Sequence, residues 1–290
     1  MATVMIASDD GSQLALVEQS RVLLVSLPGL RPCAQIGIDG GRAHNDIAYA
    51  GEHLVVLTRY GQRATVHVID PRGRPRKVRE LVWRGAARIL AATAHHVLIA
   101  TEDSTLLITL DPVELVVLPV RGRVTAACRL GNDRFIIATA RAVEEWDAVT
   151  RTRTRKVELE RRCDPQLVGG NALRFWMIQR SDPDQIDVVT LARNAHRRFT
   201  LVEPVRSLSV HARGDLAVAI GAETGMPFVI DLAQPDPVTR LGLPSVEEVT
   251  WIGRGRTLVF APVGGAVALH RVPSSTESEA TSGHGLRHSA

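Results

Sequence analysis

Apolar and polar positions alternate along most of this chain in short runs, and the runs recur in sets. The most apolar run of each set opens at Leu14 (LALVEQ), Leu54 (LVVLTR), Val97 (VLIATE), Phe135 (FIIATA), Phe175 (FWMIQR), Leu216 (LAVAIG) and Leu258 (LVFAPV). The intervals between these openings are 40, 43, 38, 40, 41 and 42 residues. Short alternating runs bounded by Gly, Pro, Asn and Asp are the signature of β-strands. Seven such sets at a period near forty predict an all-β, seven-bladed β-propeller of four-stranded antiparallel blades. A blade cannot bury both of its faces alone, so the sets must close into one ring. The expected propeller covers 1–273, with blades at about 1–41, 42–84, 85–122, 123–162, 163–204, 205–244 and 245–273.

The second set shows the plan of a blade. Strand A is DIAYA from Asp46, strand B LVVLTR from Leu54, strand C ATVHVID from Ala64 and strand D KVRELVW from Lys77, each followed by turn residues. Strand C ends on Asp in several sets, at Asp70, Asp111, Asp147 and Asp231, and the first two precede Pro. An Asp opening a turn accepts backbone N–H groups and Pro presets the next φ, so these residues are expected to shape the C–D turns. The last set offers strands near Val249, Leu258 and Ala266 but no fourth. Closure is therefore expected from packing of a three-stranded last blade against the first, with Thr3–Ala7 serving as strand A of blade one. Residues 274–290 are rich in Ser, Thr and Gly with few apolar positions, a composition that predicts disorder. No long segment has a 3.6-residue period, and the TRTRTRKV alternation before Val157 reads as a strand with one basic face.

Strand C of the fourth set ends on Trp146-Asp147, with Thr150 following. This ending resembles the Trp-Asp signature of WD40 repeats, although the Gly-His pair of that family is missing from all seven sets. By period and strand pattern the whole chain is similar to divergent bacterial seven-bladed propellers of the WD40-like or YVTN-like kind. The resemblance implies a rigid platform that binds other macromolecules.

Composition narrows the class further. The chain is 45% hydrophobic and only 4% aromatic, so Val, Leu, Ile and Ala must carry the packing. Of 35 basic residues only Lys77 and Lys156 are lysine, leaving 33 arginines. Selection for bidentate anion binding explains this, as does the codon bias of a GC-rich genome. The 31 acidic residues leave a net charge of +4, too balanced for a dedicated nucleic-acid binder. Cys33, Cys128 and Cys163 are widely spaced with no CxxC pattern, which points to reduced thiols. The start, MATVMIASDDGSQ, lacks the basic and apolar regions of a secretory signal, and no apolar run is long enough for a transmembrane helix. A cytoplasmic protein without membrane insertion is expected.

Catalytic motifs are missing: there is no glycine-rich phosphate loop, no HExxH and no GxSxG. The expected inner strands, VMIA, IAYA, ILAA, VTAA, QLVG, LSVH and VTWI, are mostly small and apolar. An enzymatic propeller would converge acids or histidines there, so no catalytic residue, metal or cofactor is expected. His44, beside Asn45 and Asp46, is the most polar cluster at a blade entry and reads either as a solvated turn or as part of a ligand site. The D–A connections repeatedly carry arginine: Arg42, Arg84 and Arg88, Arg121 and Arg123, Arg161 and Arg162, and Arg206. Such connections emerge on one face around the channel mouth. Arg42, His44, Arg84, Arg88, Arg123, Arg162 and Arg206 are accordingly the candidate binding residues for an anionic partner, unless the arginines simply pair with neighbouring acids such as Asp164 and Glu203. Basic C–D turns at Arg72–Lys77, Arg151–Lys156 and Ala192–Arg198 protect edges or hold a nucleic-acid backbone weakly. The expected function is a non-enzymatic scaffold with an unknown protein partner. An enzyme or small-anion binder at the channel mouth, and non-specific nucleic-acid binding, stand as alternatives.

Overall fold

A computed structural model describes residues 4–8, 10–18, 21–37, 46–60, 63–70, 75–82, 87–131, 133–159, 165–170, 174–190, 195–253 and 255–273. The tail expected to be disordered, 274–290, lies outside them. Among the described residues every regular element is a strand, and the 27 strands form seven antiparallel sheets in chain order. Six sheets have four strands. The seventh has three among the described residues: β25 (Val246–Ile252), β26 (Thr257–Pro262) and β27 (Ala268–Arg271).

The first strands of the blades stand next to one another in a closed cycle. They are β1 (Val4–Ala7), β5 (Asp46–Ala50), β9 (Arg88–Ala92), β13 (Val124–Gly131), β17 (Pro165–Gly170) and β21 (Val205–Val210), then β25, which contacts β1 again. Blade one thus takes β1 as its own innermost strand, as its hydrophobic pattern requires, and blade seven keeps three.

The core lies between blades rather than within them. Seven apolar clusters each join two neighbouring sheets. Large aromatics fill the later seams: Phe135 and Trp146 between blades three and four, Phe175 between four and five, Trp176, Phe199 and Phe228 between five and six, and Trp251 and Phe260 between six and seven. The seam between blades two and three holds only aliphatic side chains, such as Val55, Leu57, Val97 and Ile108. The closing seam packs Met5, Leu14 and Val25 against Val259 and Ala261.

A β-bulge recurs near the start of the first strand in blades four to seven. Thr125, Gln166, Arg206 and Glu247 each interrupt the register with strand B at the same place. A bulge leaves one residue's backbone groups outside the ladder and increases the local twist. The chain therefore presents unladdered carbonyls at equivalent points around the channel mouth.

Candidate functional site

The sequence places its arginines at the D–A face, and the bulges explain how the blades use them. Arg88 opens β9, and its Nη2 donates to the bulge carbonyl of Thr125 in the next blade. Arg206 sits in β21, and its Nη2 donates to the carbonyls of Val246 at 2.6 Å and Glu247 at 2.9 Å, again at the bulge of the next blade. Both arginines belong to strands rather than loops, and both latch one inner strand to its neighbour. Each guanidinium has five donors, and both residues remain solvent-exposed, as does Arg123 before β13. Arg42, His44, Arg84 and Arg162 lie outside the described residues. Asp46, which adjoins His44 in sequence, accepts the Ile89 N–H at 3.1 Å and so ties blade two to blade three.

Glu203, expected as an arginine partner, has a different role. It is buried and accepts the N–H groups of Glu223 and Thr224, both at 2.9 Å, together with the Thr224 hydroxyl. It thereby holds the B–C turn of blade six. Gly221 makes this possible, because a Cβ there would come within 2.2 Å of the Glu203 carboxyl carbon. Burial works to raise the Glu203 carboxyl, but the Thr224 and Glu223 donors outweigh it and hold the group below the ordinary glutamate range.

One titratable group at the mouth was not legible in the sequence. Val246 to Glu248, which read as a loop entering blade seven, are the opening residues of β25. Burial pushes the Glu248 carboxyl up to about 7, against the opposing pull of the Arg206 charge, the Val249 N–H and the Ser207 hydroxyl. The acid in EEVTW carries no signal of burial. Its position follows from the bulge at Glu247.

The acid-rich positions on blade faces are structural hubs. Trp146 Nε1 donates to Glu144 Oε2 at 2.9 Å, and Arg153 Nη1 donates to the other oxygen at 3.0 Å. At the corresponding place in blade five, Asp187 is 2% exposed. It accepts from Arg198 Nε at 2.7 Å, His196 Nε2 at 2.9 Å and Gln179 Nε2 at 3.1 Å. The Trp-Asp ending performs the turn role expected of it: Asp147 Oδ1 accepts the Thr150 N–H at 2.8 Å. Among the described residues no group of three or more His, Cys, Asp or Glu is arranged to hold a metal ion.

On the opposite face, the A–B turns lock successive blades. The residue two places before strand B does this in three blades. Asp133 of blade four bonds His96 Nδ1 at 2.9 Å and the Thr93 hydroxyl at 3.2 Å. The Gly214 carbonyl of blade six accepts from Trp176 Nε1 at 3.0 Å. Arg256 of blade seven reaches back to Asp231 Oδ2 at 2.8 Å and the Pro273 carbonyl at 3.0 Å. In blade three the same position is His95, which is exposed and lines a groove of about 700 Å³ between blades two and three.

No family model matches the chain, and no curated protein does. Solved structures show the fold. The β-propeller domain of Cps50 (Swd1) from Myceliophteria thermophila is 14% identical, with a TM-score of 0.73, covering 94% of this chain and 96% of that one. A chain of the mitotic checkpoint complex is 12% identical, with a TM-score of 0.71, covering 93% and 87%. Kuenenia stuttgartiensis hydrazine synthase is 11% identical, with a TM-score of 0.69, covering 92% and 94%. This chain has the seven-bladed propeller fold that these comparisons share with its sequence period and its closed ring of first strands.

Proposed function

We propose that this protein is a non-enzymatic scaffold that binds an anionic protein surface through its D–A face. The observation that carries the reading is the recurrence of exposed Arg88, Arg123 and Arg206 at the openings of β9, β13 and β21. The same face exposes two apolar side chains, Val202 at 88% and Val263 at 62%. Apolar contacts beside a set of guanidiniums suit a protein interface better than a small anion. Arg42, His44, Arg84 and Arg162 extend the proposed surface by their positions in the sequence. Two of the similar propellers come from protein assemblies or are propeller domains in their own right, which supports a binding role.

A second reading is favoured by Glu248. A carboxyl poised near 7 beside Arg206 and Ser207 is the kind of group that handles protons at a channel mouth. Hydrazine synthase, an enzyme, is among the similar structures.

Capture of the native partner by the tagged protein, identified by mass spectrometry, is the first step. Partner affinity is then measured at two salt concentrations for wild type and for Arg88→Lys, Arg123→Ala, Arg206→Lys combined. Lysine keeps a charge but loses the planar fork, so reduced affinity with a shallower salt slope is the expected result. Equal affinities and equal slopes would remove the D–A face from consideration. Retention on heparin that exceeds partner binding would favour nucleic acid instead.

A further inference from the structure

The groove between blades two and three has the form of a seam lock with its key missing. At the seam between blades six and seven the lock is complete. Asp231 ends strand C of blade six, and Arg256, two residues before strand B of blade seven, places its guanidinium on that carboxylate and on the carbonyls of Val272 and Pro273. At the seam between blades two and three Asp70 stands where Asp231 stands, and His95 stands where Arg256 stands. Imidazole is shorter than the arginine side chain, and the neighbouring Ala94 is small. The apolar cluster of this seam contains no aromatic residue to fill the space.

The cavity that results measures about 700 Å³, within the range of ligand pockets. Its floor is apolar, formed by Ala50, Val68, Ala94 and Leu110. Its rim carries Glu52, Asp70 and Asp111 with His53 and His95. Among the described residues Glu52, His53, His95 and Asp111 form no side-chain hydrogen bond or ion pair. Three carboxylates above an aliphatic floor match a cation on an apolar stem. The chain's own solution at the equivalent seam is a guanidinium.

We propose that this groove receives an arginine side chain of a partner polypeptide. The proposal rests on the reading of the chain as an interaction scaffold, and it adds a second surface on the opposite face, with the opposite charge preference. The space left beyond one guanidinium accommodates the aliphatic stem and a flanking residue against Val68 and Leu110.

The probe is N-acetyl-arginine amide, titrated into the full chain while the ring signals of His53 and His95 are followed by NMR. Both sets of signals should move and saturate at about 1 mM, the strength of a single anchor. The lysine analogue should bind about tenfold more weakly, because an ammonium cannot bridge two acceptors in a plane. Glu52→Gln with Asp111→Asn should weaken arginine binding about tenfold without changing the melting temperature, since both residues are unpartnered. His95→Arg should fill the groove from within, abolish binding of the probe and raise the melting temperature by a few degrees. Unmoved histidine signals would overturn the proposal, as would wild-type affinity in His95→Arg or equal binding of the lysine analogue. Tighter binding of free arginine than of an Ala-Arg-Ala peptide would mark a small-molecule site and also overturn it. None of these outcomes depends on Arg88, Arg123 or Arg206, so binding at the D–A face stands or falls separately.

Discussion

At the residue scale, two carboxylates of opposite character define what pH does to this protein. Glu248 prefers its neutral form in the folded state, where burial raises it from 4.5 to about 7. Its native value lies above its unfolded one, so its contribution to stability is full below about 4.5 and is lost as pH rises toward 7. Glu248→Gln should therefore be more stable than wild type at pH 8, by on the order of 1 kcal/mol, and the two should converge at pH 4. Chemical denaturation at both pH values measures this, and equal stability at pH 8 would show that the carboxylate is well solvated. Asp187 behaves oppositely. Burial works against its charge, but Arg198, Gln179 and His196 together hold its carboxyl below the ordinary range. Its contribution is present at neutral pH and is lost as pH falls through the depressed value. Asp187→Ala would strand three donors in blade five, at a cost of about 3 kcal/mol in urea unfolding at pH 7. A change within experimental error would mean that the network re-forms without its centre.

At the element scale, the bulge at the start of the inner strand converts charged side chains into latches. Arg88 and Arg206 each satisfy carbonyls that the bulge removes from the ladder of the next blade. Removing either leaves those carbonyls to water, so Arg88→Ala and Arg206→Ala should each cost about 1–2 kcal/mol. Arg123→Ala should stay within about 0.5 kcal/mol, since no such bond anchors it among the described residues. Melting curves of the three variants decide this, and equal stability of all three would reduce the latches to surface contacts. The arginine series was readable in the sequence because it recurs at a fixed place in the repeat. The latches were not, because the acceptors are backbone carbonyls about forty residues away. Glu248 was unreadable for a related reason: a one-residue bulge decides which of two adjacent glutamates is buried, and EE carries no mark of it.

At the scale of the whole molecule, seven seams carry the core, so each blade depends on two neighbours. The closing seam is narrow at the turn between Ser8 and Gln13. Gly11, at φ 72°, lies so close to blade seven that a Cβ would come within 2.9 Å of the Gly253 nitrogen and of Ile252 Cγ2. Gly11→Ala should therefore cost about 1–3 kcal/mol through strain and displacement of blade seven, measured by thermal unfolding. Little change would show that closure tolerates a shift of this turn. Deleting blade seven from residue 245 onward would strip Val259 and Ala261 from Met5 and Leu14. The product should aggregate rather than melt cooperatively. A soluble, cooperatively melting product would mean that six blades close without the seventh.

The hydrophobic pattern alone determined the number of blades, the positions of their strands, the three-stranded last blade and the place of the first strand. These follow from alternation and period, which are local properties repeated seven times. The Asp turns were also local, as Asp147 and Thr150 show. The tertiary structure decided what passes between blades: which arginines latch carbonyls, which glutamate is driven toward neutrality, where Glu203 turns, and which seam stays open. Each depends on groups some twenty to forty-five residues apart that meet only when the ring closes. Arg256 meets Asp231 across one seam, while His95 faces an open groove across another. The repeat makes the two positions equivalent in sequence, and only side-chain length at the seam separates a filled lock from an empty one.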